Sequence, residues 1–345
     1  MNIWIDIAHV PQLNFYKPFI NALSKKGYRV YVTVLGRGKL PVIAGKELSG
    51  VENVSVEVLG RHRMSKWSAL IEANLLRFPM LWFWAIGKKI DVAFCNHHQA
   101  SIIARLLGIP GYAFGDDPES KIYSMFVKAA TQSHMLIYED TTNGKVLPGD
   151  KVMPCLKEWA YLNPRTFKPD VKALDAYGVK PKEYIFLREV TVGTTNYAGQ
   201  ESGAILGIKD LIPKGMKVLF SLEEKKRRGE YPADWILLQE PIEDIHSLIY
   251  YAAGLVSSGD SMAREAALLG IPAYYLGIRY SMPANAAASK VASLQNKKTM
   301  PFKEWIEQLE HNSERMDEKQ RQLREHIDKE FIDINEYMMS LVESH

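Results

Sequence analysis

Residues 254–272, GLVSSGDSMAREAALLGIP, hold the densest chemistry in the sequence. An apolar strand end runs into a turn of small polar residues, Ser258-Gly259-Asp260-Ser261. Helical spacing then runs from about Met262 to Leu269, and Gly270-Ile271-Pro272 closes it. The free N–H groups and macrodipole at such a helix start favour an anion, and small residues let a phosphate come close to the backbone. Ser258, Gly259, Ser261 and Met262 are therefore candidate phosphate ligands. Glu265 follows about one turn later, where a carboxylate reaches the paired hydroxyls of a ribose. The same pattern also suits a plain βα unit in which Asp260 or Ser261 only caps the helix.

Other chemistry-bearing residues stand at the ends of predicted strands. His9 lies between the first strand and the first helix, where its plain role is a hydrogen bond to loop backbone. His97 and His98 are weaker, because adjacent residues at a helix start point apart. Asp116-Asp117-Pro118-Glu119 lies beyond a strand, at the edge where open α/β sheets bind ligands. Arg188 ends a strand and is a candidate for a diphosphate charge, or else for an ordinary surface ion pair. Thr194, Thr195 and Asn196 add donors from the following loop. Gly36-Arg37-Gly38-Lys39 is not a Walker motif, which needs four residues between its glycines and a Ser or Thr after the Lys.

These residues need α/β elements to hold them. Residues 2–7 form an apolar strand, 8–14 a polar loop, and 15–26 an amphipathic helix with Phe15, Phe19, Ile20 and Leu23 on one face. Residues 28–35 are β-branched and read as the next strand. This βαβ opening predicts a parallel sheet. Further strands are expected at 54–59, 91–96, 111–114 and 134–138, with helices after His97 and over 121–131. Turn residues gather near 157–172, the expected linker. A second α/β half follows, with strands at 184–188, 217–221, 235–238, 254–257 and 273–276, and a short helix within 241–251. The tail, 303–345, is helical and highly charged and reads as a surface helix; the expected domains are 1–160 and 161–320, with a C-terminal helix over 321–345 that packs back on the first domain.

Composition narrows the class. At 345 residues with 47% hydrophobic and 24% charged residues, the chain suits two soluble domains. A net charge of +3 argues against bulk nucleic-acid binding. Cys95 and Cys155 cannot make a disulfide framework, which fits a reducing compartment. The N-terminus lacks a basic leader pattern. The most apolar run, 78–86, is about half the length that spans a bilayer. The protein is expected in the cytoplasm. Residues 61–89 are basic at the start (Arg61, His62, Arg63, Lys66) and aromatic at the end (Trp82, Phe83, Trp84). They suit buried helices with a solvated edge or, alternatively, peripheral contact with the inner membrane face or a lipid-linked acceptor.

The turn and helix 258–272 are similar to the nucleotide-diphosphate element of two families. One adds N-acetylglucosamine to the peptidoglycan lipid intermediate; the other is the non-hydrolysing UDP-N-acetylglucosamine 2-epimerase. The whole chain resembles an uncharacterised bacterial and archaeal family with the GT-B-like fold, two Rossmann-like domains facing a central cleft. The resemblance runs through Trp4-Ile5-Asp6, residues 15–19 (FYKPF), 157–160 (KEWA) with 163–170 (NPRTFKPD), and 262–267 (MAREAA). It implies a glycosyltransferase using a nucleotide-diphosphate sugar, UDP favoured, without metal or cofactor. The acceptor belongs to the cell envelope in this reading. It also implies that the turn holds the pyrophosphate, that Glu265 binds the ribose, and that Ile242 and its neighbours bracket the base. His9 matches a catalytic base of related glucosyltransferases, with Asp116 or Asp117 orienting it. The chain departs from the pattern at Asp260, where relatives carry Gly, Ser or Thr. A carboxylate there either points away or competes with phosphate. The epimerase alternative lacks its His-Arg pair, since Arg188-Glu189 stands there. A non-catalytic nucleotide-binding protein is the remaining alternative.

Overall fold

Near-continuous runs of Ile, Val and Phe make both sheets parallel and buried on both faces. The computed structural model describes residues 1–62, 72–96, 98–119, 123–142, 144–192, 199–239, 242, 244–311 and 316–345. The chain divides into two units: Met1–Tyr161 with Phe331–His345, and Leu162–Glu330.

The first unit is built on strands β1 (Asn2–Ile7), β2 (Arg29–Gly36), β3 (Val54–Arg61), β4 (Val92–Cys95), β5 (Gly111–Gly115), β6 (Gln132–Leu136) and β7 (Asp150–Met153). All pair in parallel, in the order β3-β2-β1-β4-β5-β6-β7. The direction of winding reverses between β1 and β4, so His9 and Asn96, which follow these strands, stand at the topological switch point. Helix α1 (Val10–Lys25) begins earlier than the expected Phe15. Residues 10–14 are helical because Pro11 sits in the first turn, where a missing N–H costs nothing. Phe15 and Phe19 on its buried face meet Phe114 and Phe94 at centroid distances of 5.9 and 5.0 Å.

Helix α2 (Leu40–Leu48) follows β2, and the 78–86 run lies in α3 (Phe78–Lys88). A π-helical turn, Glu72–Arg77, leads into α3, with Pro79 in the first turn of the α-helix. Helices α4 (His98–Leu107) and α5 (Tyr123–Ala129) complete the layers around β4 to β6. Arg77 is 2% exposed and reaches under the sheet edge. Its Nη2 lies 2.7 Å from Asp6 Oδ1, its Nη1 donates to Gln99 Oε1 at 2.6 Å, and its Nε donates to the Leu59 carbonyl at 3.0 Å. Gly60 lets it pass: a Cβ there would sit 2.8 Å from the Arg77 stem, and φ is +78°.

The second unit holds β8 (Tyr184–Glu189), β9 (Lys217–Leu222), β10 (Ile236–Leu237), β11 (Gly254–Ser257), β12 (Ala273–Tyr275) and β13 (Gln295–Asn296). They are parallel, in the order β10-β9-β8-β11-β12-β13, so its switch point lies between β8 and β11. Helices α6 (Ile245–Tyr250), α7 (Asp260–Leu268) and α8 (Pro283–Ala292) alternate with the strands.

The tail is not the single surface helix that its charge predicts. It forms α9 (Phe302–His311), α10 (Met316–Glu330) and α11 (Ile334–Glu343). Phe302, Trp305, Ile306 and Leu309 bury α9 in the core of the second unit, because apolar residues at these spacings make one helical face. In α10, Gln320 donates to the Leu269 carbonyl at 2.9 Å. Helix α11 belongs to the first unit, where Asn335 donates to the Ala160 carbonyl at 2.8 Å.

Candidate nucleotide site and the first-unit polar cluster

At the second switch point the backbone is stitched by serines. Ser258 N donates to the Arg188 carbonyl at 3.0 Å, and Val190 N donates to Ser258 Oγ at 2.9 Å. Gly259 N donates to Ser257 Oγ at 3.0 Å. Ser258 and Gly259 are buried, whereas Ser261 and Met262, the next turn of α7, are half-buried. Helix α7 starts at Asp260, not Met262, and its N-cap is Gly259, with no side-chain cap bond. The capping role considered for Asp260 and Ser261 is therefore not used. Asp260 Oδ2 instead lies 3.5 Å from Arg264 Nη1 and 3.4 Å from Arg279 Nη1. The carboxylate is thus paired with two cations.

Glu265 is 7% exposed, and its Oε1 lies 3.4 Å from His246 Nε2. The His246 ring meets Phe167 edge-on at 6.2 Å. Helix α6 carries His246 because Asp244 caps it, accepting from Ser247 N at 3.2 Å. Ile242, expected beside a base, is half-buried just ahead of this cap.

Arg188, the candidate for a diphosphate charge, is ion-paired at the end of β8. Nη2 lies 2.6 Å from Glu223 Oε1, and Nη1 donates to Ser221 Oγ at 2.7 Å. Glu223 Oε2 also accepts from Thr191 N at 2.8 Å, which ties the start of the following loop to β9. Thr194, Thr195 and Asn196 lie outside the described residues. Glu189 is buried at the end of β8; its Oε2 accepts from Ile205 N at 2.7 Å, and burial pushes its carboxyl above the ordinary range.

In the first unit, His9 is exposed at the start of α1, with Arg37 Nη1 2.8 Å from Nδ1 and 3.0 Å from Nε2. Asp116, just after β5, lies 2.5 Å from Lys157 Nζ. Asp117 Oδ1 accepts from Glu119 N at 3.0 Å, a local turn contact, and Glu119 pairs with Lys145. Asn96 donates to the Phe114 carbonyl at 2.6 Å, while its Oδ1 has no partner among the described residues. His97 lies outside the described residues. Among the described residues no group of three or more His, Cys, Asp or Glu is arranged to hold a metal ion.

Several of these residues escape sequence reasoning. Arg264 carries a weak signal, since it stands four residues after Asp260 on one helical face. Arg279, His246 and Gln200, which donates to the Ser258 carbonyl, reach the site through tertiary folding and carry none.

No protein-family model matches the chain, and no curated protein matches it by sequence. Solved structures do match over essentially the whole chain. The glycosyltransferase of kitacinnamycin is 14% identical at a TM-score of 0.67, covering 99% of this chain and 98% of that one. UDP-GlcNAc 2-epimerase from Neisseria meningitidis, bound to UDP-GlcNAc, is 13% identical at 0.67 and covers both chains fully, at 100%. Spinosyn rhamnosyltransferase complexed with thymidine diphosphate is 11% identical at 0.65, covering 99% of this chain and 100% of that one. The fold is GT-B-like, with two Rossmann-like units. At these identities the likeness is one of fold.

Proposed function

We propose that the second unit binds a nucleotide-diphosphate sugar, UDP-linked by preference, and that the protein is a glycosyltransferase. The observation that carries this reading is the turn before α7. It stands at a topological switch point, begins α7 at Asp260 with Ser261 and Met262 half-buried in its first turn, and has Asp260 paired with two arginines. Glu265 lies one turn further along α7, the place for a ribose ligand. Structures of the same fold hold UDP-GlcNAc or thymidine diphosphate.

In this reading His9 takes the proton from the acceptor hydroxyl as the leaving diphosphate departs. Arg37 Nη1 lies against the His9 ring at the start of α1. Asp116 and Asp117 are acceptor-side residues, with Lys157 holding Asp116 in place. Arg188, held by Glu223 and Ser221 at the end of β8, is a further candidate for the diphosphate charge.

The acceptor is amphipathic in this account and meets the protein at the inner membrane face. Leu75, Phe83 and Ile86 on the π-turn and α3 are 68%, 72% and 51% exposed. Beside them a cavity of about 770 Å³ is lined by Val58, Leu76 and Met80 together with Arg61 and His62. An apolar face with a basic rim suits an anionic lipid surface. Arg63 and Lys66, part of the same expectation, lie outside the described residues, and no helix among the described residues is long and apolar enough to cross a membrane.

Incubating the protein with UDP-sugars and resolving the products tests the reading. Release of UDP, by transfer or slow hydrolysis, supports it. A C2-epimerised UDP-sugar with no UDP released would replace it with the epimerase reading, which Arg188-Glu189 disfavours.

A further inference from the structure

An acid in the first turn of a phosphate-binding helix looks like a defect, because a carboxylate repels the ligand. The contacts of Asp260 point the other way. Arg264, which it meets, is 1% exposed, donates to Asn285 Oδ1 at 2.6 Å and lies 3.5 Å from Ser261 Oγ. A buried guanidinium requires a counter-charge, and Asp260 supplies it across one helical turn. The same Oδ2 reaches Arg279, whose side chain is 20% exposed, on the loop between β12 and α8.

That loop is tightly held. Arg279 N donates to Tyr275 Oη at 3.3 Å, and the Arg279 carbonyl accepts from Asn285 Nδ2 at 2.6 Å and from Met282 N at 3.1 Å. A Cβ on Gly277 would come within 2.2 Å of Tyr275 Oη, so the loop folds over this ring only with glycine there. The backbone that carries Arg279 is thus fixed against the strand end, and Asp260 fixes the guanidinium beside the start of α7. A guanidinium presents a planar fork of donors that matches phosphate oxygens.

An independent feature sits two residues before the start of α7. Gln200 is 8% exposed and donates Nε2 to the Ser258 carbonyl at 2.9 Å, and its Oε1 meets no donor among the described residues. A buried acceptor left in this state is costly, and a ligand hydroxyl would satisfy it. A ligand suited to this turn therefore offers phosphate oxygens to a guanidinium and a hydroxyl to an amide oxygen. A sugar diphosphate carries both.

We propose that Arg279 binds the diphosphate of the donor and that Asp260 is a positioning residue for Arg279, not a barrier to phosphate. This rests on the nucleotide-sugar reading above. The two roles for Asp260 predict opposite signs. As a repelling charge its neutralisation would tighten diphosphate binding; as a positioning residue its neutralisation loosens it.

The test is calorimetric titration of the full chain with UDP, GDP and dTDP, each beside its monophosphate, at low and high salt. Wild type, Arg279→Gln, Arg279→Lys and Asp260→Asn are compared, with thermal melts of each. Arg279→Gln is expected to lose about ten- to a hundredfold in diphosphate affinity. It should change monophosphate affinity far less and flatten the salt dependence. Arg279→Lys recovers part of the loss. Asp260→Asn weakens diphosphate binding severalfold. Because Asp260→Asn also uncovers buried Arg264, the two Arg279 variants decide the proposal if it unfolds. Wild-type binding of a diphosphate with undiminished binding by Arg279→Gln overturns this inference alone, as does equal loss for diphosphate and monophosphate. Tighter diphosphate binding by folded Asp260→Asn overturns the positioning role. Failure of wild type to bind any diphosphate overturns the nucleotide reading itself, and this inference with it.

Discussion

Replacing Glu265 with Gln removes one negative charge from a side chain that is 7% exposed and 3.4 Å from His246. In the proposed site this carboxylate accepts from ribose hydroxyls. Hydrogen bonds to a charged group contribute about 1.5–3 kcal/mol each. The amide keeps the shape and one acceptor oxygen, and His246 already shares the carboxylate. The expected loss is therefore about 1–3 kcal/mol, or roughly five- to 150-fold in affinity. Calorimetry with UDP and with 2′-deoxy-UDP isolates the contact. Wild type should discriminate between the two ligands, and Glu265→Gln should discriminate much less, which makes a cycle of ligand and protein changes. A melt within a few degrees of wild type shows that the fold persists. Unchanged UDP affinity, or undiminished discrimination against the deoxy ligand, would remove Glu265 from the ribose role.

Breaking the buried Asp6–Arg77 pair by Arg77→Met should destabilise the first unit by about 3–5 kcal/mol, read as a lower urea midpoint with an unchanged slope. Burial, with the Lys151 charge adding to it, pushes His134 down to about 4. The unfolded chain takes up this proton near pH 6.5, so the unfolded state binds more protons between roughly pH 6.5 and 4. Stability present above pH 6.5 should fall by up to roughly 3 kcal/mol as pH drops through this window, and His134→Gln should flatten that part of a urea-midpoint profile. Phe83→Asp should abolish co-sedimentation with vesicles of anionic phospholipid; equal sedimentation by this variant would dismiss the apolar face of α3 as the contact.

Both sheets were legible because buried parallel strands read as unbroken apolar runs, as in residues 28–35 and 184–188. The 111–114 and 254–257 strands follow the same rule, whereas 54–59 (VSVEVL) alternates apolar and polar residues and is half-buried at the sheet edge opposite β7. Strand β7 was not legible: DKVM is half-polar and lies at the sheet edge, where only one neighbour constrains it. The start of α1 was misplaced because His9, Pro11 and Asn14 look like turn residues, although proline suits a first helical turn. The tail looked solvated because α10 is strongly charged, although Phe302, Trp305, Ile306 and Leu309 in α9 stand at helical spacing on one face. The turn at 258–261 and Glu265 came from local spacing alone. Arg279, 19 residues beyond Asp260, and His246, 19 before Glu265, meet them only through the winding of strands β11 and β12. No period in the sequence encodes those meetings.

The measurement closest to the central claim is calorimetric titration of wild-type protein with UDP, GDP, CMP and dTDP. The account predicts micromolar binding of a nucleoside diphosphate, UDP before the others, and much weaker binding of CMP. Absence of binding to all four would contradict it and leave the fold without a nucleotide-sugar site.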